Sequence, residues 1–110
     1  MNQVAVKNAY FNTAATHTIP SATPQGVRLR GLVIDPGVGG VYTDPRYVDF
    51  KDDTTLLFRL FVQLGAGTDA AYTNFSYMVR IPGRGIRFPN GISFTLNTNY
   101  ARTVSVFYEG

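Results

Sequence analysis

Residues that could perform chemistry are few in this sequence. His17 is the only histidine, and no Gly-x-Ser-x-Gly elbow elsewhere in the chain would present a nucleophile to it. Cysteine is absent, which excludes disulfides, thiolate metal sites and cysteine nucleophiles. A histidine acts as a general base only beside a positioned partner. The pattern therefore predicts a solvated or packed His17 and no catalytic residue, so that the chain is not expected to be an enzyme.

Carboxylates and glycines offer two further sites to consider. Asp49, Asp52 and Asp53 cluster around one turn and could supply oxygen ligands for Ca²⁺, but the Asp-x-Asx-x-Asx-Gly spacing of a calcium loop is missing. Gly-x-Gly occurs within residues 36–40 and 82–85, yet neither segment opens a predicted helix or carries the third glycine of a dinucleotide fingerprint. We therefore expect solvated turn residues, with no metal site and no cofactor.

The basic segment that most strongly indicates a binding role is Arg80-Ile-Pro-Gly-Arg84-Gly-Ile-Arg87. Arginine forks grip carboxylates and phosphates, and neighbouring aromatic rings can stack on bases or on another chain. The net charge of +3 is well below that of a dedicated nucleic-acid binder, and arginine is enriched in protein interfaces. The segment is either a solvated loop or a binding patch, and the charge favours an acidic protein surface over nucleic acid.

Short blocks of alternating apolar and other residues must position these side chains, because a helical period is hard to find. With 110 residues, 45% of them apolar, residues 1–110 suit one domain. Seven or eight strands with frequent turn signals predict an all-β fold, an antiparallel β-sandwich or jelly roll. The predicted strands span residues 27–34, 41–42, 47–50, 54–64, 71–80, 86–88, 92–96 and 103–108.

The alternation also predicts strand faces and turns. One face of the strand at 27–34 is expected to carry Val27, Leu29, Gly31 and Val33. Residues 54–64 are apolar on both faces, which indicates a central strand or one whose second face meets another subunit. Asn90-Gly91 predicts a tight hairpin between residues 86–88 and 92–96, because such turns need positive φ angles.

The sequence pattern predicts neither a membrane-spanning segment nor a signal peptide. The strongest apolar run, Leu56–Leu64, is interrupted by Arg59 and Gln63 and is too short to span a bilayer. The N-terminus lacks the basic start and apolar run of a signal peptide. We therefore expect no membrane partner.

The first 25 residues differ in character from the rest. They are small, polar and punctuated by proline, which predicts a partly extended N-terminal arm over 1–25, with Val4, Val6, Tyr10 and Phe11 able to form a strand. Aromatic side chains exceed what one small core needs, so subunit contact is expected to bury part of the apolar surface. The predicted partner-binding residues are Tyr10, Phe11, His17, Arg80, Arg84 and Arg87.

The stretch Ile81-Pro-Gly-Arg-Gly-Ile-Arg-Phe-Pro-Asn-Gly-Ile92, followed by Thr103-Val-Ser-Val-Phe-Tyr108, resembles a pattern in small tailed-bacteriophage virion proteins. That pattern is an Ile-Pro-Gly-x-Gly-Ile-x-Phe-x-x-Gly-Ile hairpin before a strand that ends in an aromatic residue. The resemblance covers about a quarter of the chain. It implies a capsid decoration or cement protein in the virion, assembled in the host cytoplasm. Such a protein would be a homo-oligomer, with a trimer as the expected state. It would stabilise the head by binding between subunits of the major capsid protein. The resemblance transfers no set of functional residues.

Other functions stay open. A tail, baseplate or head–tail joining component would share these features. A different class is a β-sandwich module in which Tyr42, Tyr47, Tyr72 and Arg80 line a groove for carbohydrate or nucleic acid. An enzyme would require a two-carboxylate site assembled from distant loops.

Overall fold

The computed structural model of the chain describes residues 5–36, 47–61, 77–96 and 101–110. In these ranges the chain forms nine antiparallel strands in two sheets, and it contains no helix that could span a membrane. The predicted all-β sandwich is confirmed. The strands are β1 (Lys7–Phe11), β2 (Ala15–Pro20), β3 (Val27–Pro36), β4 (Tyr47–Asp52), β5 (Thr55–Phe61), β6 (Tyr77–Arg80), β7 (Ile86–Phe88), β8 (Gly91–Leu96) and β9 (Ala101–Glu109).

Strands that follow one another along the chain mostly belong to different sheets. Sheet A has the order β1-β9-β3-β6, and β7 pairs with the opposite end of β3 from β6. Sheet B has the order β2-β8-β4-β5. Among the described strands, only β4–β5 and β6–β7 follow one another within one sheet, so six of the eight connections cross between the layers.

One hydrophobic core fills the space between the sheets. Full burial of an aliphatic or phenylalanine side chain contributes about 1.5–3 kcal/mol, so this core is the main source of stability. Aromatic rings of sheet B are in contact within it, with the centroids of Phe50 and Phe94 5.2 Å apart. The buried apolar residues are Ile19, Val27, Leu29, Leu32, Ile34, Val48, Phe50, Phe88, Ile92, Phe94, Leu96, Val104 and Val106.

The inward face of β3 differs from the strict alternation predicted for it. Val27 and Leu29 are buried as expected, but Leu32 and Ile34 then take the core positions predicted for Gly31 and Val33. A register shift against β9 between Leu29 and Gly31 leaves Arg30 as the extra residue of a β-bulge. One extra residue exchanges the two faces of a strand, and this is why the second half of the prediction is wrong.

The hairpin predicted at Asn90-Gly91 does not form. β7 pairs with β3 in sheet A, whereas β8 pairs with β2 and β4 in sheet B, so Pro89 and Asn90 carry the chain between the layers. A tight type I′ turn needs positive φ at both central residues, and here Gly91 has φ 111° but Asn90 does not. Asn90 instead donates its backbone N–H and its Nδ2 to the carboxylate of Asp52, at 2.7 and 3.2 Å.

β5 is the outermost strand of sheet B in the part of the chain that the structure describes, so the prediction of a central strand at 54–64 is wrong there. Its one described neighbour is β4, through a tight turn in which Asp52 pairs with Thr55 and Asp53 has φ 57°. Three stretches of predicted strand lie outside the described residues: 41–42, 62–64 and 71–76.

The N-terminal segment is extended, but it pairs within its own molecule. β1 adds to sheet A beside β9, and β2 adds to sheet B beside β8. Residues 1–4 lie outside the described residues. From Lys7 to Pro20 the segment therefore supplies an outer strand to each sheet, whereas the sequence predicted a partly extended arm over 1–25 with one possible strand.

Candidate interaction surfaces

The outer face of sheet A carries an apolar groove of about 560 Å³. Gly31 lies on this face between Arg80 of β6 and Phe107 of β9, and its missing side chain leaves the floor of the groove open. A Cβ atom at Gly31 would lie 2.9 Å from the carbonyl oxygen of Val79, so a larger residue would not fit without movement. The apolar walls include Val6 and Met78, which are 50% and 60% exposed. We call this feature the sheet A groove.

A loop with exposed arginines borders the groove. β6 ends at Arg80, opposite Gly31, and β7 resumes at Ile86, opposite Leu29, so residues 81–85 loop out beside Arg30. The loop is fastened at its start, where the N–H of Ile81 donates to the carbonyl oxygen of Arg30 at 3.0 Å. Arg80 and Arg84 are both exposed, one at the end of β6 and the other within this loop.

The bulge in β3 directs Arg30 onto Glu109 near the end of β9. Their side chains form an ion pair, and Glu109 is 7% exposed although it is a carboxylate. Burial of a charge is tolerated only where the charge is paired. The pair therefore fixes the bulge, and it neutralises the one described carboxylate at this end of sheet A.

Arginine predominates on sheet A. The described side chains of this sheet and its loops include six basic residues, Lys7, Arg28, Arg30, Arg80, Arg84 and Arg87, against Asp35 and Glu109. Arg28 lies opposite Arg87 in the ladder, and Arg28 and Arg84 line a common small cleft. The surplus of positive charge favours an acidic partner on this face.

The turn between β4 and β5 is acidic and then apolar. Asp52 and Asp53 precede Leu56 and Leu57, whose exposed fractions are 43% and 38%. A register shift between β4 and β5 leaves Leu57 as an extra residue, which turns neighbouring leucines away from the core. Since Asp52 accepts two hydrogen bonds from Asn90, the turn is fixed in place. We call residues 52–57 the acidic tip.

The outer face of sheet B next to the tip holds a second cluster. Arg59 donates from Nε and Nη2 to both carboxylate oxygens of Asp49, at 2.6 and 2.9 Å, and its guanidinium lies 3.9 Å above the ring of Tyr47. The hydrogen bonds from Arg59 hold the pKa of Asp49 below its ordinary value, against a smaller opposing effect of burial. Phe61 packs its ring edge-on against Tyr47 and is 67% exposed.

The predicted partner-binding residues other than Arg87 divide into two groups. Tyr10, Arg80 and Arg84 are exposed on sheet A and its loop, whereas Phe11 and His17 line the core beside Phe94. His17 Nε2 hydrogen-bonds the carbonyl oxygen of Thr13 at 2.8 Å, and its ring lies 4.7 Å from that of Phe11. These two residues are half-buried against Phe94, so they present less surface to a partner than Tyr10, Arg80 and Arg84 do.

Arg87 has a positioning role within the chain. Its Nε and Nη2 donate to the carbonyl oxygens of Gln25 and Pro24, at 2.8 and 3.4 Å. These bonds tie the connection before β3 to β7. The side chain is exposed, but two of its donor groups are already in use.

The structure also places residues of two other hypotheses, the ligand groove and the Ca²⁺ site. Tyr47 lies on the outer face of sheet B and Arg80 on that of sheet A, so they do not line one ligand groove; Tyr42 and Tyr72 lie outside the described residues. The carboxylates considered for Ca²⁺ are separately engaged, Asp49 by Arg59 and Asp52 by Asn90. No three potential metal ligands gather anywhere in the described ranges.

The exposed residues Val6, Met78 and Leu56 were not identified as surface residues from the sequence. The sequence pattern does indicate surface positions for Phe107, Leu57 and Phe61, because each lies on the face of its strand opposite the more apolar one. No local signal marks the groove itself, since it depends on strands that are far apart in the sequence.

No protein-family model, curated protein or solved structure matches this chain. The surfaces described above therefore carry the functional proposal.

Proposed function

We propose that the chain is a non-catalytic structural subunit of a bacteriophage virion, a decoration or cement protein that stabilises the head by binding between capsid subunits. The observation that carries this proposal is the placement of the exposed large apolar side chains. They occupy two separate areas, with Val6, Tyr10 and Met78 on sheet A and Leu56, Leu57 and Phe61 on β5. Grouped apolar surface of this kind is typical of protein contacts.

Two areas on different sheets suit a subunit that must bind more than one neighbour. A cement protein contacts both its own copies and the capsid subunits beneath it. The combination of exposed aromatic, methionine and arginine side chains is the composition that protein interfaces favour. The basic character of sheet A would complement an acidic surface on a neighbouring subunit.

The same surfaces would serve a tail, baseplate or head–tail joining component, which is the nearest alternative. A second candidate of a different class is a module for nucleic acid or carbohydrate on sheet B. The observation that favours it is the exposed ring of Phe61 beside Tyr47 and Arg59, because exposed aromatic rings next to arginine offer a stacking platform.

Binding to virus particles tests the proposal. Labelled full-length chain would be added to heads and, separately, to tails of the virus that encodes it, both prepared without this protein, and then sedimented. We expect saturable co-sedimentation with heads at a fixed ratio to capsid subunits. Binding to tails alone would contradict the head assignment and favour the alternative. Binding to neither, with retention on single-stranded DNA that falls steeply with salt, would replace the structural role with the sheet B module.

A further inference from the structure

We propose that the sheet A groove of one copy receives the acidic tip of a second copy. This inference rests on the proposed function, because a subunit of an assembly must bind its neighbours. It goes further by naming the two surfaces that meet and the kind of symmetry that follows.

The apolar parts of the two surfaces match in character. The groove is open above Gly31 and is walled by Val6, Met78 and Phe107, so it can take aliphatic side chains. The tip presents two neighbouring leucines, Leu56 and Leu57, both more than a third exposed on the isolated chain. Docking the leucines would cover apolar area on both partners, which is the main favourable term in association.

The charges match as well. Arg80 and Arg30 line the groove, and Arg84 lies on the loop that borders it. The tip carries Asp52 and Asp53, and the described side chains of sheet B and its tip hold three acids against Lys51 and Arg59. A copy that approached sheet A with its own sheet A would instead bring two arginine-rich surfaces together. Charge therefore favours contact between unlike faces.

The acidic tip is also preorganised. Asn90 holds Asp52 through two hydrogen bonds, and the turn at Asp53 is tight. A segment already fixed in its bound shape loses little conformational freedom on docking. The leucines would therefore dock without a large loss of conformational entropy.

Contact between two different surfaces is heterologous, because the groove and the tip lie on different sheets. Each copy then has one free groove and one free tip, and successive copies form a closed ring if the rotation between them is suitable. This arrangement is compatible with the expected trimer, whereas a symmetric dimer would require one self-complementary patch.

Two matched substitutions test the proposal on the full chain by sedimentation velocity. Met78→Glu places a carboxylate in the groove, and Leu56→Glu places one on the tip; both positions are exposed, so each variant should keep the far-UV circular dichroism of the parent. Each is expected to weaken self-association by about tenfold or more. Asn12→Glu, an exposed position in the connection between β1 and β2 and outside both surfaces, should leave self-association unchanged.

Mixing the two dissociated variants gives the decisive observation. The Met78→Glu chain keeps its tip and the Leu56→Glu chain keeps its groove, so a mixture should form one-to-one dimers and nothing larger. A parent chain that is monomeric, variants that stay fully associated, or a mixture that remains monomeric would each overturn the inference. Head binding by the parent chain is measured separately, so an associated parent that is insensitive to these variants would leave the proposed function standing.

Discussion

Gly85 shows how a single residue holds the arginine loop against the sheet. It has φ 81°, and a Cβ atom there would collide with the carbonyl oxygen of Leu29. Gly83, two residues earlier, also has positive φ, at 66°, but no atom lies within 4 Å of its Cβ position. Both glycines thus hold a backbone conformation that would strain another residue, and they differ in steric contact.

We expect Gly83→Ala to lower the free energy of unfolding by about 1 kcal/mol, the cost of a left-handed conformation in an ordinary residue. Gly85→Ala should lower it by about 2 kcal/mol or more, because the collision adds to the same backbone strain. Urea denaturation of both variants measures the difference. Equal losses would show that the loop does not pack on β3 as described.

Removing either member of the pair between Arg30 and Glu109 should have unequal effects. The Arg30 side chain is 32% exposed and that of Glu109 9%, so an orphaned guanidinium can reach water but an orphaned carboxylate cannot. We expect Arg30→Met to lower the free energy of unfolding by about 3 kcal/mol and Glu109→Gln to lower it by clearly less. The reverse order in urea denaturation would contradict the burial of Glu109.

The pair between Asp49 and Arg59 predicts a pH dependence of stability. Because Arg59 lowers the pKa of Asp49 below its ordinary value of 3.8, the folded chain binds a proton less readily than the unfolded chain. The stabilisation is complete above the unfolded pKa and is lost as the pH falls through the lower folded pKa. Asp49→Asn should therefore reduce the change in urea midpoint between pH 7 and acidic pH.

Arg59→Gln should reduce that change by the same amount, and the double variant should reduce it no further. Additive effects of the two substitutions would mean that Asp49 titrates independently of Arg59. The comparison needs only midpoints measured for four proteins across the acid range.

At the scale of the element, β1 distinguishes a paired strand from a free arm. Phe11 contacts Phe94 edge-on, with ring centroids 5.0 Å apart, whereas neighbouring Tyr10 is 59% exposed on the outer face. Phe11→Ala should lower the free energy of unfolding by about 2 kcal/mol or more. Tyr10→Ala should change it by less than about 0.5 kcal/mol. If the two variants were equally stable in thermal denaturation, β1 would not be docked on the sheet.

Strand positions followed well from local patterns in the sequence, whereas strand faces and neighbours did not. Alternation located β3 to β8 and the greater part of β9, because burial of one face imposes a period of two. It missed the exchange of faces at Arg30, since an inserted bulge residue has no distinctive local composition. It also assigned Asn90-Gly91 to a hairpin, where pairing with distant strands decided the outcome.

At the scale of the whole molecule, the candidate surfaces were only partly predictable. Tyr10 and Arg80 were identified from residue type, and both lie on the outer face of sheet A. That Val6, Gly31, and Met78 would meet in one groove depends on the order β1-β9-β3-β6. Pairing between residues so far apart in the chain leaves no mark within a short window of sequence.

The proposed function requires the chain to associate through its exposed apolar surfaces. The most direct test is the mass of the full-length chain in solution, measured by sedimentation velocity from about 1 to about 100 μM, the range in which weak to moderate contacts form. We predict a defined oligomer that dissociates on dilution, and a trimer is the state expected. A single species of 12.1 kDa at every concentration would contradict self-association through these surfaces.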